Sequence, residues 1–145
     1  MEISLIGKQA LIGGSSKGIG LAIAKQLAIS GASVCLMARN KSKMKEIIKN
    51  LPSDKGQVHH FLEVDFSDFN GFKVKLDIFF KKNKIDILVN NTQGPPSGNS
   101  LSKSIQDYQT SFDLLFKNIV YATTLAMSHM KRQGWGRIIN IASIS

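Results

Sequence analysis

A single cysteine, Cys35, leaves the chain without an internal disulfide, and a lone free thiol suits a reducing compartment such as the cytoplasm. No apolar run approaches the roughly 20 residues that a membrane-spanning helix needs, so a helical span is not expected. No basic leader precedes the first apolar stretch, where Glu2 comes early, and a signal peptide is not expected either. Linkers, repeats and low-complexity blocks are missing, so residues 1–145 read as one domain. Acids are scarce: 10 Asp and Glu stand against 19 Lys and Arg, a formal net charge of +9. Such an excess can serve a polyanion. The lysine runs KSKMKEIIK and KKNK, however, follow expected helices without interleaved aromatics, and they read as solvated faces rather than a nucleic-acid surface. His59 and His60 lack a partner pattern; they are assigned to packing, and no metal site is expected.

What is present is a regular alternation. Hydrophobic residues make up 43% of the chain, and a chain of this length can bury a real core. Short apolar runs read as strands: QALIG, SVCLMA, QVHHFLEVD, IDILVN and GRIINIAS. Between them lie helical stretches. The first runs from Gly18 to Ser30, with Ile19, Ile23 and Leu27 at helical spacing and Gly31 as a stop; the second is SKMKEIIKNL, closed by Pro52. FKVKLDIFFKKN is the third, and a single long helix from Ser104 to a Gly134 cap is the fourth. NTQGPPSGNS is loop by composition. Strands apolar on both faces, alternating with helices, predict an α/β doubly wound parallel sheet of five strands, a Rossmann fold. Its ligand site is expected at the carboxyl ends of the first and fourth strands, where strand order reverses.

The first of those ends carries GGSSKGIG, residues 13–20, with Gly14, Gly18 and Gly20 in the pattern G-x-x-x-G-x-G. A tight strand-to-helix turn needs a residue tolerant of positive φ. Close approach to a pyrophosphate needs the absence of Cβ, and the helix that follows presents amides and a positive dipole end to the anion. No G-K-[ST] closes the turn, which excludes a P-loop.

ALIGGSSKGIGLAIAKQLA resembles the opening of the short-chain dehydrogenase/reductase family, including its 3-oxoacyl-acyl-carrier-protein reductase-like members, with Gly13 where the family has threonine. The resemblance runs along the whole chain. It implies cofactor contact by Gly14, Ser16, Lys17, Gly18, Ile19 and Gly20. An NAD(H) site puts an acid at the tip of the second strand, and an NADP(H) site puts arginine there. The tip reads LMARN, with Arg39 and no acid; Arg39 and Lys17 therefore favour NADP(H) over NAD(H). Asp65 matches the family aspartate that meets the adenine amino group, with Phe66 beside it; on its own it reads equally as a helix cap.

The second rim, NNTQG, resembles the family's Asn-Asn-Ala-Gly, which implies cofactor contact by Asn90 and Asn91 and puts Gln93 where glycine is usual, crowding the ribose. Asn118 matches the family asparagine associated with a relay water, and Ser143 the serine that orients the substrate. The family's acid–base pair, Tyr-x-x-x-Lys, has no match: Phe112 stands four residues after Tyr108 and Leu125 four after Tyr121. The resemblance thus implies an oxidoreductase that transfers hydride between NADP(H) and a carbonyl or alcohol substrate, ending before its proton donor, next helix and last two strands. Such a chain is expected to bind nucleotide weakly at best and to turn over little, with the fifth strand an uncovered edge. The resemblance also implies a homo-oligomer built through the long helix. Three alternatives carry different signatures: a non-catalytic nucleotide-binding or interaction module, a methyltransferase, which needs an acid where Arg39 stands, and a salt-sensitive nucleic-acid binder.

Overall fold

The computed structural model describes residues 3–92, 94 and 97–143, so Gln93 and the paired prolines at 95 and 96 lie outside the described residues. The elements run β1 (Gln9–Gly13), α1 (Gly18–Ile29), β2 (Ser33–Ala38), α2 (Lys41–Lys49), β3 (His60–Glu63), α3 (Phe69–Lys82) and β4 (Ile87–Asn90). A 3-10 turn at Ser100–Ser102 then leads to α4 (Ile105–Phe112), a π-helical turn (Asp113–Lys117), α5 (Asn118–Gln133) and β5 (Arg137–Asn140). All neighbouring strands pair in parallel. The order β3-β2-β1-β4-β5 puts the reversal between β1 and β4, as the alternation of runs predicts.

Residue parity divides the core in two. Leu11, Cys35, Met37 and Leu88 face one side and pack with Phe72 and Leu76 of α3 and Ala122 and Ala126 of α5. Their neighbours Ala10, Ile12, Val34, Leu36, Ile87 and Val89 face the other side, against Ala24 and Ala28 of α1 and Met44 of α2. The central strands are apolar on both faces because helices cover both. The outer strands differ: β3 is half-buried, and all four residues of β5 are exposed.

Several local expectations are corrected. The buried face of α1 is Gly20, Ala24 and Ala28, while Ile19 is 61% exposed; small residues at every fourth position let the helix axis lie close to the sheet. β3 covers four residues rather than the whole run from Gln57 to Asp65. Before it, His59 bonds rather than packs: the Val34 amide donates to its Nδ1 at 3.1 Å, so its Nε2 donates to the Pro52 carbonyl at 2.8 Å. The helix from Ser104 is interrupted by the π turn, a feature frequent at functional sites. Asp68, not Asp65, caps α3 by accepting from the Gly71 amide.

The amino edge of the sheet is held by buried Asp86. Its Oδ2 accepts from the Gln9 amide at 2.8 Å and its Oδ1 from Gln133 Nε2 at 2.7 Å, with His129 Nε2 3.5 Å away. Its backbone meets the Gln9 carbonyl and the Arg137 amide, so one residue joins β1, β4, β5 and α5. Hydrogen bonds to a charged group are each worth about 1.5–3 kcal/mol. Asp86→Ala is therefore expected to lower unfolding free energy by about 3 kcal/mol, read as a fall in the urea midpoint at unchanged slope.

Candidate functional site

The turn between β1 and α1 is shaped by contact with the end of β4. Asn91 Nδ2 donates to the Gly13 carbonyl at 3.1 Å. A Cβ on Gly13 would lie 2.6 Å from the Asn91 carbonyl oxygen, and one on Gly20 would lie 2.5 Å from that of Gly14. Position 13 thus has no room here for the threonine that the family sets there. Gly14, at φ +58°, adds the left-handed turn that side chains resist. Ser15, which sequence reasoning passed over, is fully buried, and its Oγ accepts from the Met37 amide at 2.9 Å. It ties the turn to β2; the only signal was the paired serine within the glycines.

At the mouth of the turn, Lys17 begins α1 in extended conformation and makes no side-chain cap. No acid occupies the first turn of α1, and nothing lies within 4 Å of where a Cβ on Gly18 would be. The opening amides of a helix lack intrahelical acceptors and carry its positive end. Just before them, Gly14, Ser16 and Lys17 line a cleft of about 330 Å³ that an anion can enter, while Gly18, Ile19 and Gly20 lie outside its lining.

That cleft brings together Gly14, Ser16, Lys17, Arg39, Phe66 and Asn91 of the predicted set, with Asn40, Lys43 and Thr92, which were not predicted. Its charged lining is Lys17, Arg39 and Lys43, with no acid among them. Gly18, Ile19 and Gly20 form the start of α1. Asp65 is exposed, and both the hydroxyl and the amide of Ser67 donate to its Oδ1. The hydroxyl above all, then the amide and the nearby Arg39 charge, hold its carboxyl below the usual carboxylate range. Asn90 does not line the cleft: its Nδ2 donates to Thr123 Oγ1 and Asn140 Oδ1, bracing β4 against α5 and β5.

Asn118 is buried, 1% exposed. Its Nδ2 donates to the Phe66 carbonyl at 2.7 Å, and among the described residues its buried Oδ1 has no partner. An orphaned buried acceptor at the end of a π turn is costly unless a further donor meets it. Ser143 is exposed, three residues beyond the last residue of β5.

Neither tyrosine is arranged as a proton donor for this cleft. Tyr121 donates to Asp77 Oδ1, and that bond, with some burial and the Asp77 charge, pushes its phenol up to about 12. A donor working near neutrality needs the opposite shift. Tyr108 donates to the Ser100 carbonyl at 3.1 Å. Burial pushes the Cys35 thiol up to about 12, away from nucleophilic use. Among the described residues, no three His, Cys, Asp or Glu cluster as metal ligands, and no helix is long and apolar enough to cross a membrane.

Comparison with known proteins adds independent findings. A family model described as short chain dehydrogenase matches residues 8–145. The 3-oxoacyl-[acyl-carrier-protein] reductase FabG of Chlamydia pneumoniae is 35% identical over an alignment covering 99% of this chain and 58% of the relative. FabG of Aquifex aeolicus is 32% identical with the same coverage. Among solved structures, L-sorbose reductase from Gluconobacter frateurii, complexed with NADPH and L-sorbose, superimposes with a TM-score of 0.87 at 31% identity, over 99% of this chain and 55% of that one. A 3-oxoacyl (acyl-carrier-protein) reductase from Agrobacterium tumefaciens with NADP bound gives 0.86 at 27% identity, over 97% and 54%. The chain thus spans little more than half the length of these relatives.

Two outcomes follow from the site geometry. Ser15→Ala orphans the buried Met37 amide and is expected to lower stability by about 1–3 kcal/mol, measured by urea unfolding. Tyr121 has a folded-state pKa above its ordinary value of 10, so the stability it contributes is complete below pH 10 and is lost as pH rises toward 12. Thermal melts of Tyr121→Phe should therefore decline less steeply over that window than those of the parent chain.

Proposed function

Because this chain belongs to the short chain dehydrogenase family, we propose that it holds NADP(H) in the cleft at the ends of β1, β2 and β4, as the nucleotide-holding part of an oxidoreductase acting on a carbonyl or alcohol carbon. The observation that carries this reading is the pairing of an uncapped, acid-free helix start at Lys17 with Arg39 across one cleft. The residues fit the cofactor. The space beside Gly18 and the opening amides of α1 suit the pyrophosphate. Arg39 and Lys17 suit a 2′-phosphate, and the acid that an NAD(H) site uses on the ribose is missing from Ala38, Arg39 and Asn40. Phe66 offers an apolar wall to the adenine, and exposed Asp65, next to it in sequence but outside the cleft lining, is assigned as the acceptor for the adenine amino group. The NADPH and NADP seen in the solved relatives support the same choice.

When bound, the nicotinamide supplies the hydride chemistry. The chain's own contribution is binding and orientation. Asn91 holds the rim of the cleft through Gly13. Asn118, anchored to the Phe66 carbonyl, keeps a buried oxygen available for a donor such as a relay water. The Ser143 hydroxyl, beyond β5, is assigned to orienting the substrate oxygen. The engagement of Tyr121 by Asp77 and of Tyr108 by Ser100 leaves neither of these two hydroxyls to the cleft. That observation also keeps a non-catalytic nucleotide-binding module as the second reading. The apolar residues exposed on the long helical segment, Tyr108, Phe112, Phe116 and Val120, support self-association through that face. The single buried thiol supports a reducing compartment, as in the cytoplasm.

Titration of the chain with NADPH and NADH, followed by nicotinamide fluorescence, tests the reading. NADPH is expected to bind more tightly than NADH. Arg39→Ala should weaken NADPH by roughly 10- to 100-fold while leaving NADH nearly unchanged. Equal affinities for the two nucleotides in the parent chain, or no binding of either, would sink it.

A further inference from the structure

We propose that Lys43 is a third cation of the same subsite, closing with Arg39 and Lys17 around the 2′-phosphate of the nucleotide; the proposal rests on the reading of the cleft as an NADP(H) site. Lys43 belongs to a lysine run that reads, in sequence, as a solvated face of α2, yet it lines the cleft together with the other two cations. Its backbone is fixed there. The Asn40 side chain, also part of the cleft wall, accepts from the Lys43 amide at 3.0 Å and from Ser42 Oγ at 2.9 Å. Among the described residues, the Lys43 ammonium makes no ion pair or hydrogen bond with a side chain.

The distribution of charge over the helix starts points the same way. Away from the cleft, α3 begins at Asp68, and α4 carries Asp107 in its first turn. Lys81 and Lys82 at the end of α3 and Lys131 and Arg132 at the end of α5 fall where the dipole favours them. The two helices that border the cleft begin with cations instead. Lys17 begins α1, Lys41 and Lys43 stand at the start of α2, and neither first turn contains an acid. Cations at a positive helix end oppose the dipole, and an anion bound between them removes the opposition. A phosphate monoester with a second pKa near 6 carries about −1.5 to −2 charges at pH 7, which suits several cations rather than one.

The test uses the 145-residue chain, with adenosine 2′,5′-bisphosphate and 5′-AMP as probes, titrated calorimetrically. The two differ only in the 2′-phosphate. Lys43→Gln is expected to weaken the bisphosphate roughly tenfold and 5′-AMP less than twofold. Without ligand, the same variant should melt about 1–3 °C higher, because an opposing cation has left the helix start. A bisphosphate preference that survives in Lys43→Gln but is lost in Arg39→Ala overturns the role of Lys43 and leaves the NADP(H) reading standing. Equal weakening of both probes also overturns it, since Lys43 would then support the cleft as a whole. If the parent chain shows no preference for the bisphosphate, the cleft reading falls and the proposal falls with it.

Discussion

Everything at the carboxyl edge of the sheet depends on how closely the end of β4 approaches the turn after β1. Asn91 lies against Gly13, Gly14 and Gly20 at distances that leave no space for a side chain on any of the three. The amide of Asn91 reinforces the contact through the Gly13 carbonyl, and buried Ser15 carries it on to β2 through the Met37 amide. Three strand ends are thereby held as one rigid rim. Protein interiors do not deform continuously, so a substitution at this junction must displace backbone rather than a flexible group.

On that rim the electrostatics are one-sided. Lysine and arginine gather where helices begin, around a cleft without acids. At the opposite edge Asp86 sits within hydrogen-bonding reach of Gln9 and Gln133 and close to His129. The chemistry is separated along the strands: structural polarity at their starts, anion attraction at their ends. The same separation explains Tyr121. It lies on the face that packs against α3, where its hydroxyl donates to Asp77, and so it serves packing rather than the cleft.

Much of this was legible in the residues. Short apolar runs mark the strands, and their alternation with helical stretches carries the topology as far as the position of the reversal. The turn at Gly14, Gly18 and Gly20 is likewise visible, because backbone geometry and residue type are tightly linked there. The misreadings share a cause. Ile19 matches the helical period of Ile23 and Leu27, yet α1 turns its alanines inward because close packing on the sheet outweighs hydrophobicity at the first turn. His59 and Ser15 bond amides of β2 some 20–25 residues away in sequence, a relation that local pattern does not contain. Lys43 looks like any other lysine in its run until the Asn40 cap places it beside Arg39.

Asp86 and Asn90 stand four residues apart and, by alternation, share the face of Leu88 that looks toward α5. Slipping β4 by one position would turn both polar side chains into the apolar layer under α1 and α2, away from every partner they have. The alignment of β5 is thus locked by two latches, the Arg137 amide on Asp86 and the side chain of Asn140 on Asn90, rather than by burial of its isoleucines. An outer strand held in this way takes its register from its neighbour's polar groups, although Ile138 and Ile139 stay exposed.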